Sequence, residues 1–405
     1  MPGGLISIDE ARERVLAAAR PLPSEAVPLA AALGRVLAED VASAEDLPPF
    51  DSSAMDGFAV ASAEGGELEV VGESRAGAPA LRGLAAGQAI AISTGAMVPE
   101  GTAAVVPVER TRPGAAGRVV AEEVRHAANV RRAGEDVRSG QVVLRAGTAV
   151  GPAEIAMLAS LGRAEVRCGG VPRVAVVVTG DELVDPGRPL GPGQIRDSNA
   201  PALAALATAA GARVTGARRV GDDFARTVEA LRAAIAEADV VCVSGGVSVG
   251  EHDHVKPALA ELGVEERFWG VALKPGKPTW FGAAGAGPTL VFGLPGNPVS
   301  TMVTFELFAH PALRALRGAE PSRTRVRARL EAPIRLNPRR EQAVRCRLTA
   351  AEDGWRATPA AAQGSHQISS MLGADALALV PRGEGELAAG ALVDAEPLAR
   401  DTVHP

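Results

Sequence analysis

The chain has 405 residues, 47% of them hydrophobic and 22% charged, enough apolar material for several cores and a length that predicts about two to four domains. A net charge of −6, no tyrosine and 3% aromatic content disfavour bulk nucleic-acid binding, which needs a basic footprint and stacking faces. Cys168, Cys242 and Cys346 lie far apart with no Cys-x-x-Cys, which argues against a disulfide framework and a structural zinc site, and no apolar run approaches the ~18 residues of a membrane span.

The cytosol is therefore expected. Met1 to Ala19 carries Asp9, Glu10 and Glu13 and has no apolar core of signal-peptide length. Ser7-Ile-Asp-Glu10 is a capping-box pattern that predicts a helix through Ala19, and a second helical stretch is expected near Leu29 to Leu37. From Val41 to about Arg132 the pattern changes to short apolar alternations broken by glycine and proline, as in Glu67 to Val71, Ala89 to Ser93 and Ala104 to Val108. A helix is predicted again over Pro152 to Leu161, ended by Gly162. Packing of residues 134–170 on 1–41 would make the β-rich stretch, 42–133, an insertion.

Residues 171–318 read as an α/β unit. Val174 to Val178 is a continuous β-branched run suited to a strand buried on both faces. Then come a helix (Pro201 to Ala210), a strand (Arg213 to Val220), a helix (Asp223 to Ala236) and a strand (Asp239 to Val243). A helix (His254 to Leu262), a strand (Thr289 to Phe292) and a helix (Val299 to Arg317) complete the run. This alternation predicts a doubly wound, mostly parallel sheet whose ligands bind beyond the carboxyl ends of the strands. Residues 319–405 return to short strands, and there Arg323, Arg325, Arg327 and Arg329 share one strand face that reads as solvated.

Candidate chemistry gathers at those strand ends. The chain has three lysines among 42 basic residues, and two of them, Lys274 and Lys277, sit in Leu273-Lys-Pro-Gly-Lys-Pro278. Compact ammonium charges on a turn stiffened by Pro275 and opened by Gly276 suit the holding of an anion. Ser244-Gly-Gly-Val-Ser-Val-Gly250 is a glycine-rich turn from strand to helix whose free amides can cradle an oxyanion. It also contains a Gly-x-Ser-x-Gly match around Ser248. A serine hydrolase is disfavoured because Ser248 lies beyond a flexible Gly-Gly pair and no HGGG-type motif accompanies it. Acidic groups follow the other strands in Thr179-Gly-Asp-Glu182, Gly221-Asp-Asp223 and Glu251-His-Asp-His254. One of Asp222 and Asp223 is expected to cap a helix. Carboxylates beside an anionic substrate call for a cation such as Mg²⁺ between them. His252 and His254 read as surface residues. Gly293-Leu-Pro-Gly-Asn-Pro-Val-Ser300 places the Gly296 and Asn297 amides at the start of a helix.

Together, Ser53-Ala-Met-Asp-Gly57, Ser93-Thr-Gly-Ala-Met-Val-Pro99, Arg131-Arg-Ala-Gly-Glu-Asp136, Thr179-Gly-Asp-Glu182, Ser244-Gly-Gly-Val-Ser248, Lys274-Pro-Gly-Lys-Pro278 and Leu294-Pro-Gly-Asn-Pro298 resemble the molybdopterin molybdenumtransferase family, that of MoeA and the gephyrin E domain. The resemblance implies a multidomain α/β fold: a discontinuous helical or mixed unit (1–41 with 134–170), an inserted β-rich domain (42–133), a molybdopterin-binding sheet domain (171–318) and a C-terminal β-barrel-like domain (319–405). It implies an elongated homodimer and a reaction in which adenylylated molybdopterin and molybdate give molybdenum cofactor and AMP with Mg²⁺ support. A molybdopterin adenylyltransferase is a possible partner. Site positions carried over by the resemblance are Asp56, Thr94, Glu182, Asp222, Asp253, Lys274 and Lys277, with Pro295 and Pro298. Glu182 and Asp253 would hold Mg²⁺ or its waters, and Asp222 would orient the nucleotide. Substrate contacts are expected from Arg131, Arg132, Thr179, Asp181, Ser198 and Asn199. Further contacts are expected from Ser244, Gly245, Gly246, Ser248, Pro275, Gly276, Gly296 and Asn297. His252 and His254 depart from a common acidic-small-acidic pattern. An adenylyltransferase-type activity or a non-enzymatic scaffold on the same sheet fold are the competing readings; the flanking β-rich regions argue against the first, and the intact lysines and carboxylates against the second.

Overall fold

The structure, a computed structural model, describes residues 4–248, 253–285, 289–322 and 324–398. Its central sheet follows from the apolar runs. Strand β1 (Arg173–Thr179) sends Val174, Val176 and Val178 into one buried cluster and Ala175 and Val177 into another, as the alternation of side chains across a strand requires. Strands β2 (Arg213–Val220), β3 (Val240–Ser244), β4 (Val264–Trp269), β5 (Trp280–Ala284) and β6 (Thr289–Leu294) complete a six-stranded sheet in the order β2-β1-β3-β6-β5-β4. The first four are parallel, and β5 and β4 extend the sheet antiparallel. The sequence reading missed these last two. Glu265, Glu266 and Arg267 are exposed on the edge strand β4, so its apolar signal is thin.

Helices cover both faces of the sheet, with α3 (Asn199–Ala209) contributing to one cluster and α4 (Phe224–Glu237) and α5 (Val255–Glu261) to the other. Asp223 is the capping residue of its pair, accepting from the Arg226 amide at 2.8 Å. The helix expected from Val299 is α6 (Pro298–Thr304), a π turn at Phe305–Ala309 and α7 (His310–Leu316). Pro311 has no N–H for the Leu307 carbonyl four residues back. Arg12 takes up that carbonyl, donating from Nε at 3.0 Å.

Arg12 lies on helix α1 (Ile8–Ala18), which Ser7 caps at the Glu10 amide. Ile8, Ala11 and Val15 of α1 are buried in the larger cluster of the sheet domain. Residues 25–28 and 41–42 instead pair with 165–168 and 142–144, beside α2 (Pro152–Ser160). The helix expected at Leu29 to Leu37 is only a 3₁₀ turn, Leu29–Ala31, because Gly34 turns the chain at φ +74° and Val36 and Leu37 bridge to Ala149 and Cys168. Between these segments stands a six-stranded β module. At the other end, Val326–Leu330, Glu341–Ala351, Gly354–Pro359, Ala376–Val380 and Leu392–Pro397 pair in a closed ring, a small barrel. The arginines along and just before its first strand are exposed yet paired: Arg325 with Glu396, Arg327 with Asp394 and Arg329 with Asp353. Arg323 lies outside the described residues.

Glu396 joins the barrel to α1. It accepts a two-pronged bond from Arg12 at 2.7 and 2.6 Å and another from Arg325 at 2.9 Å. Burial alone would raise its pKa, but the two guanidiniums overcome that and hold it below the ordinary 4.5. A depressed carboxyl pKa contributes stability above pH 4.5, and that contribution is lost as pH falls through the folded-state value. Glu396→Gln leaves the half-buried Arg12 without this counter-ion and is expected to cost about 2–3 kcal/mol, read as a fall in the urea midpoint at pH 7. The gap between parent and variant should narrow below pH 4.5, and a gap unchanged there would overturn the assignment.

Candidate functional site

Beyond the carboxyl ends of the parallel strands lies a cleft of about 710 Å³. Its lining follows the sheet order. Asp222 comes from the end of β2, Thr179 and Glu182 from the end of β1, Ser244, Gly245, Gly246 and Ser248 from the end of β3, and Pro295, Gly296, Asn297 and Pro298 from the end of β6. Asp253 enters ahead of α5, and Ser198 and Asn199 from the start of α3. Residues that were not among the expected site positions also line it, including Arg196, Asp197, Pro278 and His366. Asp197 carried a local signal, since its Oδ1 accepts from the Asn199 and Ala200 amides as a helix cap does. His366 carried none, because it reaches the cleft from the barrel domain.

The glycine turn is held by close packing. Gly245 and Gly246 adopt φ +92° and +64°, and a Cβ on Gly245 would lie 2.9 Å from the Thr179 carbonyl oxygen, so only glycine fits between the two strand ends. Asn199 ties the neighbouring turns together, its Nδ2 donating to Ser244 Oγ at 2.9 Å and to the Gly296 carbonyl at 2.7 Å. A carbonyl can only accept, so this bond fixes which way the amide faces. Asn199 Oδ1 is then a buried acceptor with no donor among the described residues. Asp181 does not line the cleft; its Oδ1 accepts from the Asp222 amide at 3.1 Å and so positions Asp222.

Lys274 and Lys277 do not line this cleft. Both are exposed, and the segment carrying them forms a wall: Pro278 faces the first cleft, while Lys274 and Pro275 face a second one of about 400 Å³ against the barrel. Gly276, at φ +118° between Leu273 and Thr304, makes the turn that separates the two lysines. Arg335, Gln342, Arg345 and Gln363 also line the second cleft. Arg345 is 1% exposed and has no carboxylate partner among the described residues; burial pulls its pKa down to about 10, still leaving it charged at neutral pH. Its Nε donates to Ser370 Oγ at 3.3 Å. A buried guanidinium without a counter-ion beside an exposed lysine is suited to an anion. The sequence alone could not single out Arg345 among so many arginines.

The β module keeps its candidates apart from both clefts within this chain. Asp56 Oδ1 accepts from the Thr94 amide at 2.7 Å, so these two residues form one exposed feature. Arg131 and Arg132 are exposed, and Arg132 pairs with Asp51 at 2.5 Å. Val249, Gly250, Glu251 and His252 lie outside the described residues, while the His254 ring packs edge-on against Phe224 with the ring centroids 6.2 Å apart.

Known proteins resemble this chain in sequence and in fold. Residues 6–162 match the MoeA N-terminal region (domain I and II), 175–315 a probable molybdopterin binding domain and 327–398 the MoeA C-terminal region (domain IV). A molybdopterin molybdenumtransferase of Nostoc sp. is 38% identical over 383 residues, 91% of this chain and 87% of that one. Molybdopterin molybdenumtransferase 2 of Mycobacterium tuberculosis is 37% identical over 392 residues, 93% of this chain and 95% of that one. The solved structure of the molybdopterin biosynthesis moeA protein from Pyrococcus horikoshii OT3 matches with a TM-score of 0.83 at 30% identity, covering 98% of this chain and 100% of that one. Likeness of sequence over nine-tenths of the chain, with the same regions in the same order, establishes that this chain belongs to the molybdopterin molybdenumtransferase family.

Proposed function

We propose that the strand-end cleft takes adenylylated molybdopterin, that the Lys274 cleft takes molybdate, and that the transfer releases AMP. Family membership makes the protein a transferase of molybdenum cofactor biosynthesis that acts in molybdenum insertion. The observation carrying the finer reading is the layout of the two clefts on either side of one lysine-bearing wall. From the end of β2 to that of β6 are three inter-strand steps, roughly 14 Å at about 4.8 Å each, which suits an extended ligand with a pyrophosphate link rather than a single small anion. Asp222 and Glu182 occupy one side of that span, and the Ser244 to Ser248 turn and the Pro295 to Pro298 turn occupy the other.

In this reading the glycine turn binds the terminal pterin phosphate through free amides, and Asp222, positioned by Asp181, orients the nucleotide. Asn199 Oδ1 offers an acceptor to a ligand donor. Lys274 and Arg345 hold molybdate, and Lys277 places its charge near the reacting phosphates. Glu182 and Asp253 line the same cleft, and Mg²⁺ commonly takes one or two carboxylates and completes its shell with water and substrate oxygens. Glu182 and Asp253 would hold it. Bound there, Mg²⁺ would neutralise phosphate charge facing the carboxylates. Asp56 and Thr94 complete the site in a homodimer whose β modules each cover the partner's cleft. A molybdopterin adenylyltransferase is the source of substrate in the cytosol; among the described residues no helix is long and apolar enough to cross a membrane.

The test supplies purified protein with adenylylated molybdopterin and measures AMP. Molybdate is expected to raise AMP release at least about tenfold, the gain of a factor worth ~1.4 kcal/mol in transition-state stabilisation. Release at one rate with and without molybdate would refute the two-cleft reading.

A further inference from the structure

We propose that His366 is a ligand-contacting residue of the cleft, donating from its imidazole to an oxygen of a phosphate monoester. The proposal rests on the reading of the cleft given above. His366 is exposed and lines the cleft with Ser244, Gly245 and Asn297, and its ring has no hydrogen bond among the described residues. The loop that carries it is nevertheless fixed at both ends. On the cleft side, Asn297 Nδ2 donates to Ser365 Oγ and the Val299 amide donates to the Ser365 carbonyl, each at 3.1 Å. On the barrel side, Arg345 Nη2 donates to the carbonyls of Ala362 at 3.4 Å and Gly364 at 3.3 Å. Gln367 Oε1 accepts from the Gly364 amide at 2.8 Å, closing the loop on itself. A side chain left unpaired on an anchored loop at the edge of a binding cleft is positioned for a ligand rather than for the fold.

Charge selects the ligand atom. Glu182, Asp197, Asp222 and Asp253 give the cleft its acidic side chains, and among its described lining residues only Arg196 and His366 are basic. Glu182 and Asp222 follow β1 and β2, whereas Asn297, to whose neighbourhood Ser365 is bonded, follows β6 at the far side of the parallel strands. A phosphate on the far side has the glycine-turn amides but neither lysine, and His366 adds a donor from the barrel domain to those amides. The barrel domain therefore takes part in binding at the sheet domain's cleft.

The phosphate monoester is that of the nucleotide or that of the pterin, and separate titrations decide between them. Calorimetry of the full-length protein with AMP and, anaerobically, with metal-free molybdopterin would be compared for the parent, His366→Ala and His366→Gln. His366→Ala is expected to weaken one of the two ligands about tenfold, as the loss of a hydrogen bond to a charged group does, and the ligand affected names the phosphate. His366→Gln keeps an N–H donor and is expected to recover most of the loss. The position is exposed, so folding is not at stake. Parental affinity for both ligands in His366→Ala would overturn the contact, and so would an equal loss for both that glutamine fails to relieve. If the parent binds neither ligand, the reading of the cleft itself fails, and this proposal with it.

Discussion

An Asp56→Ala chain and a Lys274→Ala chain, each inactive alone, are expected to recover AMP release when mixed and allowed to exchange subunits. The reasoning starts from separation. Asp56 and Thr94 form one feature on the β module, joined at 2.7 Å, and neither lines the strand-end cleft or the Lys274 cleft of its own chain. In a two-fold dimer whose modules cover the partner's clefts, a mixed dimer collects both lesions in one site and leaves the other whole. Equal amounts give half mixed dimers, so recovery should approach about a quarter of parental activity. Asp56→Ala also removes the acceptor of the Thr94 amide, and Asp56→Asn, which keeps an oxygen there, separates that structural loss from the loss of charge. No recovery in any mixture would show that each site is built within one chain.

Glu182→Gln and Asp253→Asn are expected to lower turnover by about 10–100-fold at modest Mg²⁺ and to regain part of it as Mg²⁺ is raised. Each change keeps side-chain size while removing a charge from the cleft wall, so it weakens an ion's site more than it alters the cleft's shape. Glu182 is exposed and Asp253 half-buried at the head of α5, so neither substitution opens a cavity in the core. Turnover that ignores Mg²⁺ in parent and variants alike would remove the metal role and leave these carboxylates to the nucleotide alone.

How much of this was legible in the amino-acid order depended on range. Val174 to Val178 reads as a doubly buried strand because alternation and burial are written into adjacent residues, and Ser7 and Asp223 announce helix starts because a cap acts three residues ahead. The glycine turn after β3 and the acidic turns after β1 and β2 were readable for the same reason, and strand alternation then implied that they converge. Tertiary structure alone decided which partners lay far along the chain. Trp280–Ala284 and Val264–Trp269 became strands by pairing on the sheet edge. Leu29 to Leu37 gave up its helix because bridges to residues more than a hundred positions away satisfied its backbone. Lys274 and Lys277, neighbours in sequence, were divided by the turn at Gly276, while Arg345 and His366 were brought from the barrel domain to the two clefts. Local pattern reports a residue's own turn or strand, but a site depends on contacts across the chain, and those are set by how whole elements bury their apolar faces against one another.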